Sequence, residues 1–459
     1  MPGIPKAQLR ALEEIVGPSH VLVDPDLLAS YTVDWTGRFR GHTTAVIRPG
    51  STEEVAAIVA FCRLYEIGLT LQGGNTGLVG GGVPLAGEVV CSLTRLSWVG
   101  QVDPVSGQIT VGAGATVGSV QAAAENAGWS YGVDFASRES ATIGGSIATN
   151  AGGMHVIRNG DTRAQVLGVE AVLGTGAVVA HLGGLLKDNT GYNLASLLCG
   201  SEGTLGIVTA ARLRLVPQSP HRMVALLAFD DSRSTMSAAV ALRSSLRSLS
   251  AAEVFFEDGL ELVRDVFGLP APFPQPHSSF LLVEASDADD PTQELSAAID
   301  LLTETSDVEV ADVAVALDAS RSAHLWRYRE AHTEAINSLG APHKLDVSVP
   351  LPALPDFVDQ VASLVGSIVP AARTWLFGHA ADGNIHVNVT GVDPNDDRVD
   401  DAVFRLVVNL GGSISAEHGI GTAKRRWLRL VRSDSEIDSF RRIKQALDPD
   451  SILNPNVLL

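Results

Sequence analysis

Cysteine and basic residues are both scarce in this chain. Its three cysteines, Cys62, Cys91 and Cys199, lie far apart and form no CxxC pair, which argues against a disulfide framework and against a cysteine-based zinc site. A reducing cytoplasm fits this usage best. Lysine and arginine total 33 against 52 aspartates and glutamates, a formal net charge of −19. Such a charge argues against nucleic acid or an anionic membrane as a bulk partner.

The chain also lacks a long uninterrupted apolar run. Residues 1–24 have no apolar segment of the kind found in signal peptides. The longest apolar stretch, residues 166–186, contains Glu170 and several glycines, so it predicts strands and turns rather than a membrane span. We therefore expect a soluble, cytoplasmic protein, and attachment to a respiratory membrane through a partner stays open.

The length of 459 residues and the pattern of apolar residues predict an α+β protein with more than one domain. Short β-branched runs between glycine turns dominate the first half, with a helix over residues 51–65 capped by Ser51. Longer helices are predicted at residues 232–248, 292–304, 321–339 and 354–369, with strands such as 280–285 between them. A last helix is predicted at 434–447. We expect domains at residues 1–218 and 219–411 and a segment, 412–459, that packs back on the first.

Two histidines and a carboxylate suggest a metal site. His379 and His386 flank the turn Asp382-Gly383-Asn384, and Glu417-His418 begins thirty-one residues after His386. Strands are predicted on both sides of the turn, so a hairpin could bring the two imidazoles together. Two histidines with one carboxylate leave coordination positions open, as a catalytic metal requires.

A different interpretation of these residues is equally open. A histidine pair on a hairpin is commonly found at the surface or in a satisfied core rather than at a metal. Glu417 and His418, however, lie in a short apolar stretch bounded by glycines, where charged groups usually need a partner.

Glycine-rich segments form a second set of features. Residues 73–82 follow a predicted strand and contain six glycines in ten positions, so their N–H groups could approach a phosphate closely. The segment is neither a Walker loop nor a Rossmann fingerprint, because no Gly-Lys-Ser/Thr and no helix follow it. Gly112-Ala113-Gly114 also fails the Rossmann pattern. The alternative for residues 73–82 is a flexible surface loop.

Two further clusters, residues 140–153 and 199–209, combine small residues with hydroxyl groups. Such backbone can lie against a flat ligand with polar edges, and hydroxyl and amide groups can then bond its ring atoms. Each cluster taken alone could equally be a tight-packing element.

The three clusters in this order resemble the flavin-binding domain of the vanillyl-alcohol oxidase type. The later segments resemble the C-terminal domain of the group that contains D-lactate dehydrogenases, glycolate oxidase and D-2-hydroxyglutarate dehydrogenases. The resemblance extends from about Ala45 to Asn456 and rests on six segments: residues 73–77, 149–153, 200–206, 378–384, 415–419 and 453–455.

The resemblance implies an α+β fold with a two-subdomain FAD-binding domain at residues 1–218 and a substrate domain with an antiparallel sheet flanked by helices. It implies FAD, held non-covalently because no His or Cys lies in residues 73–82. The positions that would contact FAD are Gly73, Gly74, Asn75, Thr76, Gly77, Thr142, Gly145, Thr149, Asn150, Gly152, Glu202, Gly206, Ile207 and Asn454.

The same resemblance assigns roles to the histidine segments. His379, His386 and Glu417 become ligands of a divalent ion, with zinc expected and manganese or iron as alternatives. His418 becomes the general base that takes the substrate's hydroxyl proton while a hydride passes to flavin N5. The alternative for His418 is an orienting role beside the metal.

Substrate recognition is expected from cationic and polar residues. Arg329, one helical turn before Thr333, matches a position that binds a carboxylate in the related dehydrogenases. Lys344 matches a lysine of the D-2-hydroxyglutarate dehydrogenases that holds a second carboxylate, and Asn388 shares a strand face with His386. These residues predict oxidation of a D-2-hydroxy dicarboxylate, with D-lactate or glycolate as the alternative.

Two other classes of protein remain open from the sequence. A metallohydrolase would use the same ligands to activate water, and a flavin-binding electron carrier would have no substrate of its own. For the dehydrogenase, the electron acceptor could be a quinone, a cytochrome or an electron-transfer flavoprotein. The relatives in the resembled group lead us to expect a homodimer.

Overall fold

The computed structural model describes residues 4–305 and 308–459. Its strands are β1 Val21–Leu22, β2 Val46–Ile47, β3 Leu69–Gln72, β4 Val89–Ser92, β5 Gln108–Gly112, β6 Trp129–Ser130, β7 Val166–Leu173, β8 Val178–Ala180, β9 Gly206–Arg214, β10 Val216–Pro217, β11 His221–Phe229, β12 Leu249–Phe256, β13 Ser279–Asp287, β14 Asp312–Ala316, β15 His343–Ser348, β16 Arg373–His379 and β17 Asn384–Thr390.

Its helices are α1 Lys6–Val16, α2 Pro25–Leu28, α3 Thr52–Leu64, α4 Val117–Asn126, α5 Ile143–Thr149, α6 Val156–Asn159, α7 Thr162–Gln165, α8 Leu194–Leu198, α9 Ser232–Ser245, α10 Glu257–Phe267, α11 Thr292–Thr305, α12 Ala319–Glu330, α13 His332–Asn337, α14 Leu354–Ile368, α15 Arg398–Asn409, α16 Leu428–Val431 and α17 Asp434–Leu447. The chain forms two compact units. The first contains the chain up to Gly153, Asn159–Pro217 and Glu417–Leu459, and the second contains Met154–Arg158 and Gln218–Ala416.

The first unit contains two four-stranded sheets. One has the order β1-β2-β4-β3, with β2, β4 and β3 parallel. Helix α3 connects β2 to β3, which lie on either side of β4, and Ser51 caps it by accepting the N–H of Glu54 at 3.2 Å, as predicted. The other sheet, β5-β9-β7-β8, is antiparallel. Each sheet has its own buried apolar cluster, which gives this unit two subdomains.

The second unit is built on a seven-stranded antiparallel sheet of order β14-β11-β13-β12-β16-β17-β15. Helices α10, α12 and α13 pack against one face, on an apolar cluster that includes Phe255, Tyr328 and Phe377. Helices α9, α14 and α15 pack along the sheet and on one another. Side chains alternate between the two faces of a sheet along each strand. Residues two positions before or after Phe255 and Phe377 therefore have side chains on the same face of the sheet as this cluster.

The predicted hairpin is confirmed. Strands β16 and β17 pair in antiparallel fashion, with His379 opposite Asn384 and Phe377 opposite His386. The turn between them is held by the side chain of Asp382, which accepts the N–H of Asn384 at 3.1 Å. Gly383 adopts a positive φ of 83°, which favours glycine at that position.

One predicted helix is wrong in its extent. Residues 321–339 do not form a single helix, because α12 ends at Glu330 and α13 begins at His332. The ring Nδ1 of His332 lies 3.1 Å from the carbonyl oxygen of Arg329. Ala331 alone separates the two helices, and main-chain bonds continue across it: its N–H donates to the Arg327 carbonyl at 3.2 Å and its carbonyl accepts the N–H of Ala335 at 2.9 Å.

None of the helices within the described ranges combines the length and the apolar character needed to cross a membrane.

Candidate active site

The hairpin of the second unit brings His379 and His386 together. Their rings face the same side of the sheet, with centroids 5.4 Å apart and planes at 81°. His379 is 7% exposed. The side chain of His386 is 13% exposed, so both imidazoles are largely buried.

A buried carboxylate lies next to the Nδ1 atom of each imidazole. Glu253 on β12 is directly opposite His379 on β16, and its Oε1 lies 2.6 Å from Nδ1 of that histidine. Asp346 on β15 is directly opposite His386 on β17, and its Oδ1 lies 3.5 Å from Nδ1 of His386. A carboxylate on one ring nitrogen orients a histidine so that the other nitrogen, Nε2, can bind a metal. The Nε2 atoms of His379 and His386 are therefore suitable ligands for a divalent ion.

Glu253 also contacts a cation. Its Oε2 lies 2.7 Å from Nη2 of Arg329, whose guanidinium stacks on Phe377 with 4.6 Å between Cζ and the ring centroid. Burial would raise the pKa of Glu253, but the charges of His379 and Arg329 outweigh burial and lower that pKa. The carboxylate is therefore ionised and shared between the two partners.

Asp346 is fixed by main-chain and amide donors. Asn384 donates from Nδ2 to Asp346 Oδ1 at 2.9 Å and to the carbonyl of Val347 at 2.8 Å. The main-chain N–H of Ala416 donates to Asp346 Oδ2 at 3.2 Å. Both acceptors of Asn384 are oxygens, so the orientation of its amide is not ambiguous. Asn384 Oδ1 is buried and has no hydrogen-bond partner in the described part of the chain.

The predicted substrate residues are found on two strands and two helices of the second unit. Lys344 and Asn388 are directly opposite each other on β15 and β17, on the face that carries His386. Burial lowers the pKa of Lys344 to about 8. Arg329 ends α12, and Thr333 lies in α13, beyond the break between these helices. Arg329 and Thr333 are therefore not on one continuous helix.

Glu417 and His418 belong to the first unit. They follow Ala416, the last residue of the second unit, directly in the chain. Within the first unit, the N–H of Gly153 donates to Oε1 of Glu417 at 2.8 Å. This bond orients the Glu417 carboxylate from the end of the 140–153 cluster.

The first glycine loop approaches the second cluster at close range in the first unit. A Cβ on Gly73 would collide with the hydroxyl of Thr142, and one on Gly74 would collide with the carbonyl of Ser140. Within residues 4–305 and 308–459, the N–H groups of residues 74–77 donate to no protein acceptor. A loop of unused N–H groups next to a strand end fits a pyrophosphate.

Small polar residues of the second cluster are held by short-range bonds. Thr142 caps α5 by accepting the N–H of Gly145 at 3.3 Å, and Thr149 donates to the carbonyl of Gly145 at 3.1 Å. Asn150 has a positive φ of 52° and donates to Asp161 at 2.7 Å. Gly152 lies two residues after Asn150 and is buried.

Glu202 and Asn454 join the glycine segments of the first unit. The Glu202 carboxylate accepts the N–H groups of Ile420 at 2.9 Å and Gly421 at 2.7 Å. Asn454 accepts the N–H of Leu71 at 2.8 Å and donates to the Glu202 carbonyl at 2.7 Å. The side chains of Glu202 and Asn454 therefore link separate segments of the first unit through hydrogen bonds within the protein. Gly206 and Ile207 begin β9, and Ile207 is 1% exposed.

Sequence reasoning did not find Glu253, Asp346 or Asn384 as parts of this site. Each lies in or next to an apolar strand, and a charge in such a run usually has a buried partner. That signal was available for Glu253, in the run Ala251-Ala252-Glu253-Val254-Phe255. The identity of its partners depends on which strands are neighbours, and no local pattern gives this.

Comparisons with known proteins agree with these features. Residues 43–181 match the family model described as FAD binding domain, and residues 218–458 match the model of the FAD linked oxidases, C-terminal domain. The chain is 39% identical over 459 residues to D-2-hydroxyglutarate dehydrogenase of Xanthomonas citri pv. viticola, covering 98% of this chain and 96% of the relative. It is 36% identical over 460 residues to D-2-hydroxyglutarate dehydrogenase of Stutzerimonas stutzeri, with 98% of each covered.

The fold also matches a solved structure. p-Cresol methylhydroxylase with bound substrate superposes with a TM-score of 0.78 at 16% identity, covering 99% of this chain and 97% of that one. This match confirms the predicted fold class, a two-domain α+β fold in which helices flank antiparallel sheets. The chain belongs to the FAD-linked oxidase family, and it is an FAD-dependent oxidoreductase.

Proposed function

We propose that this protein oxidises a D-2-hydroxy acid to the 2-oxo acid with FAD and a divalent metal, and that it prefers a dicarboxylate such as D-2-hydroxyglutarate. The relatives named above are D-2-hydroxyglutarate dehydrogenases. The main support for the proposal is the pair of imidazoles on the hairpin, each with a buried carboxylate next to its Nδ1 atom. The cations Arg329 and Lys344 belong to the same unit.

His379, His386 and Glu417 would hold the metal. Glu253 and Asp346 face the Nδ1 atoms, so each histidine would bind through Nε2. Ala416 donates to Asp346, and Glu417 is one peptide bond further along, which supports its inclusion. When bound, a divalent ion such as zinc, or alternatively manganese or iron, would lower the pKa of the substrate's hydroxyl group.

His418 would act as the general base. It follows the ligand Glu417 and would take the proton from the hydroxyl oxygen of the substrate. FAD, when bound, supplies the atom N5 that accepts the C2 hydride. Removal of the proton and of the hydride from the same carbinol yields the 2-oxo acid.

Arg329 would bind the carboxylate next to the hydroxyl group. Its Nη2 pairs with Glu253, while its Nε is buried without a hydrogen-bond partner among the described residues. A buried donor without an acceptor costs free energy, and a substrate oxygen would satisfy it. Asn388 and Thr333 would add polar contacts.

Lys344 would bind the second carboxylate of a dicarboxylate. Its position opposite Asn388 puts it on the histidine face of the sheet. The pKa of about 8 still leaves it mostly protonated at neutral pH, so it can pair with an anion. D-Lactate or glycolate is the alternative substrate if Lys344 serves only packing.

FAD would be bound non-covalently in the first unit. The unused N–H groups of residues 74–77 would face the pyrophosphate. Thr142, Gly145, Thr149, Asn150, Gly152, Gly206 and Ile207 would surround the flavin, and Glu202 and Asn454 would keep these segments together. A metallohydrolase is a weaker alternative, because it leaves the FAD-binding domain without a role.

The cytoplasmic location is proposed from the cysteine usage, and the dimer from the resembled group. We propose a cytoplasmic homodimer that passes electrons to a quinone, a cytochrome or an electron-transfer flavoprotein. A stopped-flow screen of reduced enzyme against these three classes of acceptor tests this part. Reoxidation of the flavin by none of them would contradict it.

Substrate turnover tests the main proposal. The purified protein, loaded with FAD and zinc, is assayed with D- and L-enantiomers of 2-hydroxyglutarate, lactate and glycerate and an artificial electron acceptor. We expect activity with the D-enantiomers and the highest kcat/KM with the dicarboxylate. Equal rates for both enantiomers, or no activity with any hydroxy acid, would contradict it.

A further inference from the structure

Glu253 is a carboxylate of the second unit that contacts both a proposed metal ligand, His379, and a proposed substrate anchor, Arg329. Its side chain is 1% exposed. One oxygen lies 2.6 Å from His379 Nδ1 and the other lies 2.7 Å from Arg329 Nη2. Neither oxygen is therefore available to solvent.

The contact with His379 is set by the sheet. Glu253 and His379 are directly opposite each other on β12 and β16, at the spacing where cross-strand side chains meet. Strand register cannot shift by one residue without turning every side chain to the other face. The pair is therefore a fixed feature of the second unit.

The contact with Arg329 is set by stacking. The guanidinium lies over Phe377, which is two residues before His379 on the same face of β16. Glu253 then meets the edge of the guanidinium. One carboxylate therefore contacts both groups, through a hydrogen bond to His379 and an ion pair with Arg329.

We infer that Glu253 is a positioning residue that couples metal binding to recognition of the substrate carboxylate. This inference rests on the proposed function, because it takes His379 as a metal ligand and Arg329 as the anion anchor. Glu253 accepts a hydrogen bond from His379 Nδ1–H and so holds Nε2 toward the ion. Its second oxygen fixes one Nη group of Arg329 and leaves the remaining donors of the fork for the substrate.

The coupling follows from a competition for one charge. In the substrate-free protein the negative charge of Glu253 is divided between the imidazole and the guanidinium. When a substrate carboxylate pairs with Arg329, the cation is partly neutralised, and Glu253 polarises His379 more strongly. A more basic imidazole binds a divalent ion more tightly. Substrate and metal should therefore strengthen each other's binding.

The test uses the full-length, FAD-loaded protein and two measurements. Zinc affinity is obtained by competition with a chromogenic chelator, and KM is obtained with D-2-hydroxyglutarate and D-lactate at saturating zinc. The variants are Glu253→Gln, Arg329→Met, and both together. Glu284→Gln is the matched control, because Glu284 is a buried carboxylate of the adjacent strand β13 that bonds His155, Ser250 and Trp326 instead.

We expect Glu253→Gln to weaken zinc binding by roughly 10- to 100-fold and to raise KM for both acids even when zinc is saturating. Arg329→Met should raise zinc affinity, and this rise should be smaller in the Glu253→Gln background. Glu284→Gln should keep the zinc affinity of the wild-type protein. Thermal unfolding and FAD content of each variant show whether a loss reflects misfolding.

Three negative results are distinguishable. If the wild-type protein binds zinc through His379 and His386 but Glu253→Gln changes neither zinc affinity nor KM, the inference fails and the proposed function stands. If Glu284→Gln lowers zinc affinity as much as Glu253→Gln, the coupling is not specific and the inference also fails. If wild-type protein binds zinc no better than a His379→Ala, His386→Ala variant, the proposed metal site itself fails.

Discussion

Lys344 and Asn388 occupy directly opposite positions on the neighbouring strands β15 and β17. Both side chains face the side of the sheet that carries His386. A cation and an amide at this spacing can bind the two oxygens of one carboxylate. This pair is the part of the second unit that would distinguish a dicarboxylate from a monocarboxylate.

Replacing Lys344 by Met should therefore change specificity. We expect kcat/KM for D-2-hydroxyglutarate to fall by about 100-fold, since a charge-assisted bond contributes roughly 1.5–3 kcal/mol. The value for D-lactate should change by less than about threefold. Steady-state kinetics with both acids measure this, and Lys6→Met, an exposed lysine of α1, is the control. Equal losses for the two acids would rule out Lys344 as the second anion site.

The pH dependence should differ between the two acids. Burial lowers the pKa of Lys344 to about 8, so the side chain is mostly a cation at pH 7 and mostly neutral at pH 9. Only the cation pairs with an anion. We expect kcat/KM for D-2-hydroxyglutarate to fall as pH rises through about 8, because the pH dependence of kcat/KM reports pKa values of the free enzyme. In the Lys344→Met variant this descent should disappear, and a profile identical to that of the wild-type protein would contradict the assignment.

Replacing His418 by Asn should affect the proton transfer and little else. We expect kcat to fall by roughly 10²- to 10⁴-fold, the usual contribution of a general base, with FAD content and zinc affinity near wild-type values. Anaerobic single-turnover reduction of the flavin isolates this step. A loss of zinc together with activity would instead indicate that His418 orients the metal ligands.

Lys444 should be important for the stability of the first unit. Its ammonium group donates to the carbonyl oxygens of Thr204 and Leu453, both at 2.8 Å, and pairs with the buried Asp448. Lys444→Met leaves that carboxylate without its cation, which costs roughly 3–5 kcal/mol. Urea denaturation measures the free energy of unfolding. Arg442→Met, which removes an exposed ion pair on the same helix, should leave it nearly unchanged.

The hairpin and the helix α17 could be predicted from the sequence because their signals are local. Asp382-Gly383-Asn384 is a turn between two apolar strands, and Ser433 with Glu436 forms a capping box at the start of α17. The observed helix, Asp434–Leu447, has the predicted bounds. Short-range patterns of this kind specify the backbone before any tertiary contact forms.

The carboxylates behind the histidines could not be predicted in the same way. Glu253 and His379 are 126 residues apart in the chain, and they meet only because β12 and β16 are neighbours in the sheet. The order of seven strands is not encoded in any single segment. The break between α12 and α13 was missed because no Gly or Pro marks it in the sequence, and Ala331 alone separates the two helices.

The most direct test is anaerobic reduction of the flavin by D-2-hydroxyglutarate, with and without a chelator. The FAD-loaded, zinc-loaded protein should lose its visible flavin absorbance on mixing. Removal of the metal should slow this loss by at least about 100-fold, and added zinc should restore the rate. Flavin that stays oxidised in the presence of zinc and substrate, or bleaching that is indifferent to the chelator, would contradict metal-assisted oxidation of a 2-hydroxy acid.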